Sequence, residues 1–150
     1  EINYILDQVK NYQLEFIQLH GSESVKYCQE LKEHGIKIIK AFQIEKGFDF
    51  NKIIPFKKVV DYFLFDTKTN TYGGSGKKFN WDILEAYDNE IPFFLSGGIS
   101  LEDANTIKND LLLKKLNIKA LDINSCFETL PAVKNTTMVS NFIKKINNEL

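Results

Sequence analysis

Residues 61–82, Asp61-Tyr62-Phe63-Leu64-Phe65-Asp66-Thr67-Lys68-Thr69-Asn70-Thr71-Tyr72-Gly73-Gly74-Ser75-Gly76-Lys77-Lys78-Phe79-Asn80-Trp81-Asp82, decide how the chain is read. They open as a short apolar run, 61–65, of the kind that forms a strand covered on both faces. A carboxylate, Asp66, follows at once. A glycine- and lysine-rich loop then spans 67–78, and a short helix is expected over 80–87. An apolar strand passing through a polar loop into a helix is half of a βαβ unit. The loop is not a nucleotide-binding P-loop. That pattern is G-x-x-x-x-G-K-[ST], and here Thr71 stands at its first Gly and Lys78 at its hydroxyl residue. Gly73, Gly74, Ser75, Gly76 and Lys77 instead suit a mobile loop that closes over a substrate.

The same alternation extends to both sides. Strands are expected at 14–19, 36–42, 92–95 and 118–123. Helices are expected at 2–11, 22–34, 100–109 and 136–148, with a weaker one within 49–58, where Pro55 interrupts. Ser22 and Ser100 read as helix caps, and Gly35 as a stop. No linker or compositional break divides the chain, so residues 1–150 read as one domain of five βα units. Two architectures accommodate that count. A five-stranded open sheet closes within this length. A (β/α)8 barrel takes about 250 residues. Periodicity alone favours the open sheet.

Composition excludes several classes of partner. The net charge is −1, which offers no strong field for nucleic acid or a membrane surface. No apolar run reaches the length of a membrane span. The 19 basic residues are all lysine, so an anion must be held by backbone N–H groups, by lysine or by a part of the protein outside this stretch. The two cysteines form no C-x-x-C pair, so neither a zinc site nor a disulfide framework is expected. A reducing cytoplasm is the expected location.

Polar residues gather where strands end, which is where parallel α/β folds place their chemistry. Alternation puts Gln18 and His20 on one face of the first strand, with Leu19 on the other. Asp66, at an apolar strand end, is partly desolvated and so suited to act as an acid. Gly97 and Gly98 let backbone approach a ligand, and the helix after them presents free N–H groups to an anion. Asp122, Asn124 and Ser125 end the last strand beside that turn. Each set also has a plain structural reading as a satisfied polar group, a turn or a connector. Cys28 shares a helical face with Val25 and Leu31 and reads as a core thiol. His34 reads as complementing a helix dipole, and Trp81 as packing.

Together these stretches are more specific than any one of them. Phe65-Asp66-Thr67-Lys68, Tyr72-Gly73-Gly74-Ser75-Gly76-Lys77 and Phe79-Asn80-Trp81 resemble the sixth strand and following loop of the phosphoribosylanthranilate isomerase family. Gln18-Leu19-His20-Gly21 resembles that family's fourth strand end. Phe94-Leu95-Ser96-Gly97-Gly98-Ile99 resembles its seventh, and Leu121-Asp122-Ile123-Asn124-Ser125 with Glu128 and Pro131 its eighth. The resemblance covers essentially the whole chain. It implies an α/β (β/α)8 TIM barrel, of which residues 1–150 supply about the last five βα units, strands 4–8. Residues 1–11 would be the third helix, with strands 1–3 absent. It further implies isomerisation of N-(5′-phosphoribosyl)anthranilate, an Amadori rearrangement in tryptophan biosynthesis that takes no cofactor and no metal.

By the same resemblance Asp66 is the general acid. Gln18, His20 and Asp122 line the pocket for a small phosphosugar. Gly97, Gly98, Asn124 and Ser125 hold the phosphate, and Gly73, Gly74, Ser75, Gly76 and Lys77 belong to the closing loop. A monomer or homodimer is expected. The chain departs from the family at four points. The base cysteine of the first strand and an early anthranilate-binding arginine have no counterpart here, so these residues alone are expected to be inactive. Cys126 and Ala132 each stand where the family usually has Gly. The alternatives are another phosphosugar barrel enzyme, a non-catalytic phosphate-binding barrel fragment, or a self-contained open α/β domain.

Overall fold

The computed structural model describes residues 2–68 and 78–147. Five parallel strands form the main sheet: β1 (Phe16–Leu19), β2 (Lys37–Ile44), β3 (Tyr62–Thr67), β4 (Phe93–Leu95) and β5 (Ile118–Leu121). Their order in space is their order in the chain. This separates the two architectures that periodicity left open. An open doubly wound sheet reverses its direction of growth once, at a switch point. Here there is no reversal. Parallel crossovers are right-handed, so steps taken always to the same side put every connection on one face of the sheet. The other face stays free of helices, as on the inner wall of a barrel. The open-sheet expectation drawn from periodicity is therefore overturned by strand order.

The helices are α1 (Ile2–Tyr12), α2 (Val25–Glu33), α3 (Asp103–Asn109) and α4 (Thr136–Asn147). Helix α2 starts three residues later than the sequence suggests. Its cap is Ser24, not Ser22: the Ser24 hydroxyl accepts the Tyr27 N–H at 3.1 Å. Gly35, at φ +78°, ends it as expected, its N–H reaching the Lys32 carbonyl at 2.9 Å. The connections expected as short helices are tight 3-10 turns, Phe50–Phe56 and Trp81–Ala86. Pro55 has no N–H to continue an α-helix through the first. The stretch 124–134 is not a plain loop. It holds a one-turn helix, Ser125–Phe127, and an antiparallel hairpin of β6 (Glu128–Leu130) and β7 (Val133–Lys134).

On the covered face, alternate strand residues build the core. Leu19, Ile38, Ile44, Phe63, Phe65, Phe93 and Leu95 are buried there with Leu31, Leu84 and Phe127. Each fully buried Phe side chain contributes up to about 3 kcal/mol before ordering entropy is counted. Phe65, Tyr87 and Phe93 pack mutually, with centroids 4.8–5.5 Å apart. Tyr87 satisfies its hydroxyl on the Ile91 backbone, and burial pushes the phenol up to about 12. Lys40 is the one buried cation among the described residues, and it donates to the Gly21 carbonyl and to Glu23, each at 2.7 Å. That pair ties the turn after β1 to β2. Cys28 is fully buried beside it, and burial pushes its thiol up, so it is the core thiol the sequence suggests.

On the free face, Phe16, Tyr62 and Phe94 form a row across the lower end of the sheet, with centroids 5.8 and 5.4 Å apart. Ile39 and Leu64, both buried, pair in register with Tyr62 and Phe94. The polar residues are one layer higher, at the strand ends.

Candidate active site

The site is assembled at the C-terminal ends of β3, β4 and β5. Asp66 lies inside β3, not after it, because β2 and β3 stay paired through Ile44 and Thr67. That extra pairing fixes the backbone on both sides of the carboxylate. Alternation turns Asp66 to the free face and Thr67 into the covered one. The Ser96 N–H donates to the Phe65 carbonyl at 2.9 Å, and the Asp122 N–H to the Leu95 carbonyl at 2.8 Å. Asp66, Ser96 and Asp122 therefore stand in a row on three adjacent strands. The buried Ser96 hydroxyl donates to Asp122 Oδ2 at 3.1 Å.

Asp66 is half-buried, and its carboxyl is held above the ordinary aspartate value. Burial is the largest cause. The Thr67 N–H, 2.8 Å from Asp66 Oδ1, acts the other way, the like charge of Asp122 raises it further, and Ser96 offsets part of that. An acid that keeps its proton at higher pH than a free aspartate is suited to protonating a leaving oxygen.

Gly97 and Gly98 turn the chain directly after β4, at φ +93° and +64°. A Cβ on Gly97 would lie 2.2 Å from Thr67 Oγ1 and 2.6 Å from the Thr67 backbone N. Only glycine allows this approach. Thr67 Oγ1 also accepts the Phe79 N–H at 3.0 Å, where the chain returns from the 67–78 segment. The Cys126 thiol donates to the Gly98 carbonyl at 3.7 Å, bringing the turn after β4 against the one-turn helix after β5. Ser125 starts that helix and Asn124 precedes it, so both lie at the same end of the sheet as Gly97 and Gly98. Turns after the last two strands plus a short extra helix are where barrels recurrently hold phosphate. Lys134 donates to Asn124 Oδ1 and pairs with Glu128 at 2.6 Å.

The expected anion site at the helix following Ser100 is corrected. Helix α3 starts only at Asp103, with no side-chain cap hydrogen bond, so Ser100 lies ahead of it and does not cap it. Asp103 Oδ2 accepts the Ser100 N–H at 2.8 Å and the Ser100 hydroxyl at 2.9 Å, and Lys78 pairs with Oδ1. Ser100 therefore donates to the helix's own acid instead of capping an N–H. Burial opposes the Asp103 charge, but Lys78 and Ser100 outweigh it and hold the carboxyl below the ordinary range.

Gln18 and His20 are exposed, at the end of β1. Alternation puts them on the free face with Asp66, but β2 separates them from β3, and the register sets Gln18 beside Ile39 and Tyr62 rather than beside Asp66. Gln43, which sequence reading passed over, pairs in register with Asp66 and occupies that intervening place. Its signal was the alternation along β2, Ile39, Ala41, Gln43, which ends in a polar group. Gly73, Gly74, Ser75, Gly76 and Lys77 lie outside the described residues. The ring of Trp81 packs under the Lys78 ammonium, 5.7 Å from its centroid. The two glycine replacements differ in outcome. Cys126 does not adopt a left-handed backbone, whereas Ala132 does, at φ +64°. Among the described residues no cluster of three metal-ligating side chains occurs, and no helix is long and apolar enough to cross a membrane.

An elevated acid beside a turn of two glycines can protonate a substrate whose anionic end that turn holds. Comparison with known proteins points the same way. The chain is 43% identical over 145 residues to the N-(5′-phosphoribosyl)anthranilate isomerase of Parabacteroides distasonis, across 97% of this chain and 64% of that one. It is 40% identical over 146 residues to the enzyme of the same name from Phocaeicola vulgatus, across 97% and 70%. The chain thus spans a little under two thirds of the length of the first relative. A solved phosphoribosyl anthranilate isomerase, in complex with reduced 1-(o-carboxyphenylamino)-1-deoxyribulose 5-phosphate, superposes with a TM-score of 0.78 at 26% identity, over 99% of this chain and 67% of that one. Residues 1–145 match the profile described as N-(5′phosphoribosyl)anthranilate (PRA) isomerase, and with this sheet and these strand ends the chain belongs to that family.

Proposed function

We propose that this chain supplies the acid and the phosphate cradle of an enzyme that isomerises N-(5′-phosphoribosyl)anthranilate to 1-(2-carboxyphenylamino)-1-deoxyribulose 5-phosphate in tryptophan biosynthesis. The observation that carries the reading is Asp66, half-buried with an elevated carboxyl, one strand from the Gly97-Gly98 turn. Asp66 donates its proton to the furanose ring oxygen. The bond from that oxygen to C1′ breaks as the anthranilate nitrogen lone pair forms a Schiff base. A base then takes the C2′ proton, and the resulting enolamine tautomerises to the ketone. The reaction moves electrons only within the substrate, so it balances without an external oxidant or cofactor.

Gly97, Gly98, Asn124 and Ser125 hold the phosphate in this reading, and Gln18, His20 and Asp122 line the sugar and ring pocket. The loop carrying Gly73, Gly74, Ser75, Gly76 and Lys77 closes over it and excludes water. The five βα units correspond to units four to eight of a (β/α)8 barrel, and the sequential strand order supports that assignment. Neither cysteine suits the base. Cys28 is sealed in the core, and Cys126 faces the turn of Gly98. By the family resemblance the base is instead a cysteine thiolate of the barrel's first strand, and residues 1–150 alone are expected to turn over little. The test is turnover of phosphoribosylanthranilate by the whole protein, followed by loss of substrate fluorescence, with Asp66→Asn alongside. A drop of about 10²-fold or more in the variant is expected for loss of a general acid. A folded parent without turnover would sink the isomerase reading.

A further inference from the structure

The hairpin after β5 interrupts the βα pattern, and it stands on a firm base. Phe127 is fully buried and packs on Phe142 of α4, with ring centroids 5.1 Å apart. The Phe127 N–H donates to the Asn124 carbonyl at 2.9 Å, and the Asn135 N–H to the Phe127 carbonyl at 2.7 Å. Both ends of the hairpin are thus tied to one core residue. Across it Glu128 pairs in register with Lys134, so the two side chains leave the same face. Glu128 Oε2 accepts the Ala132 N–H at 3.2 Å, and Oε1 takes the Lys134 ammonium at 2.6 Å. The same ammonium donates to Asn124 Oδ1.

We infer that Lys134 is a positioning residue, which sets the Asn124 amide so that its NH2 serves the substrate phosphate. The inference rests on the phosphate role given to Asn124 above. It follows from donor and acceptor chemistry. An ammonium has three hydrogens and no acceptor, so it can meet only the oxygen of an amide. Held by that oxygen, the amide is kept from flipping, and its NH2 is the end left to donate. A phosphate dianion offers only acceptors, so it requires the NH2 and not the oxygen. Asn124 is exposed, so core packing does not fix that choice. Lys134 is not the counter-charge of the phosphate, because Glu128 already meets its charge. A partly exposed ion pair of this kind adds little to stability, so its worth lies in the geometry it imposes.

Orienting an amide and supplying a counter-charge separate in a double-mutant cycle. The measurement is the Kd of inorganic phosphate for the whole protein, from NMR shifts of the Gly97 and Gly98 amides. It is made in the parent, Lys134→Met, Asn124→Ala and the double variant. Asn124→Ala is expected to weaken phosphate about 10-fold, the size of one hydrogen bond to a charged group. Lys134→Met is expected to weaken it about 3- to 10-fold, and no more than Asn124→Ala does, because it acts through that amide. In the Asn124→Ala background, Lys134→Met is expected to change nothing. The same loss in both backgrounds makes Lys134 a counter-charge and overturns the inference. No phosphate binding in the parent, or no loss in either single variant, overturns it too. Turnover of phosphoribosylanthranilate adds a readout that a merely structural role would not move. There Lys134→Met is expected to raise KM by a similar factor with kcat nearly unchanged, and a fall in kcat at constant KM overturns the inference. The phosphate titration needs no turnover. A protein with the coupling but no isomerisation therefore fails the isomerase reading and keeps the inference, and one that isomerises without the coupling does the reverse.

Discussion

Replacing Gly97 by Ala tests the central contact of the site. Two separate costs arise. The backbone at φ +93° lies outside the region that L side chains occupy, which costs about 1–3 kcal/mol. The new methyl would also lie 2.2 Å from Thr67 Oγ1 and 2.6 Å from Thr67 N. The hydroxyl could rotate away only by abandoning the buried Phe79 N–H, at about 1–3 kcal/mol for an unsatisfied donor. The backbone nitrogen cannot rotate away, because β3 is held between β2 and β4. Moving it is an overpacking cost of about 1–3 kcal/mol. Together they come to about 3–9 kcal/mol, comparable with the whole stability of many domains. Urea unfolding would register a fall in midpoint of about 2 M or more. Gly47→Ala is the control. Its φ is +81° and nothing lies within 4 Å of the added carbon, so it carries the backbone cost alone. Should Gly97→Ala cost no more than Gly47→Ala, the close approach of β4 to β3 inferred here is wrong.

Two further predictions concern stability. Ala132 sits at φ +64° after Pro131, the third position of a turn that favours glycine. Ala132→Gly should stabilise by about 0.5–1 kcal/mol, since relief of strain exceeds the added chain entropy, and calorimetry should show a rise of about 1–4 °C. Asp66→Asn should make the protein more stable at neutral pH even as it lowers turnover. The folded-state value of Asp66 is raised, so the folded protein holds this proton more tightly than the unfolded chain. The parent therefore loses stability as pH rises from about 3.9, the unfolded value, through the folded value. The stability gap between the Asp66→Asn variant and the parent should open over that window and close below it. A gap independent of pH would show that burial of the Asp66 charge is not its cause.

The sequence carried the strands well, because each is a short apolar run bounded by glycine or polar residues, as at 61–65 and 92–95. It placed the candidate site residues at strand ends because polar groups follow the apolar runs in a specific order. It did not carry strand order, which depends on crossover direction and leaves no local periodic trace. That order decided between the open sheet and the barrel wall. The hairpin of 128–134 was missed because its strands are three and two residues long, too short for alternation to register. The reversed cap at Ser100 was missed because Ser-x-x-Asp reads the same whether serine accepts from the backbone or donates to the acid. Ser96 was visible in the motif but looked like part of a glycine turn. Its hydrogen bond is to Asp122, 26 residues away, which only the register of β4 and β5 brings alongside.

Parity along the strands separates stability from chemistry. In β3, Phe63 and Phe65 enter the helix-covered core, whereas Leu64 and Asp66 turn to the free face. In β4, Phe93 and Leu95 are core, and Ser96 just beyond them is not. The two sets can therefore change independently over most of their length, which is why a sheet this apolar can end in a polar row without unsatisfied charges. Thr67 is the exception. It lies on the core side, yet its hydroxyl holds the Phe79 N–H and its backbone abuts Gly97. Through that one residue the return point of the 67–78 segment and the glycine turn after β4 share a common support. Thr67→Ser, which keeps the oxygen and removes a methyl, should thus leave both turns in place. Thr67→Val, which keeps the volume and removes the acceptor, should loosen the segment at Phe79 at a cost of about 1–3 kcal/mol. Hydrogen exchange at the Phe79 amide distinguishes them: protection kept in the first and lost in the second is the expected result, and equal protection in both would remove Thr67 from this role.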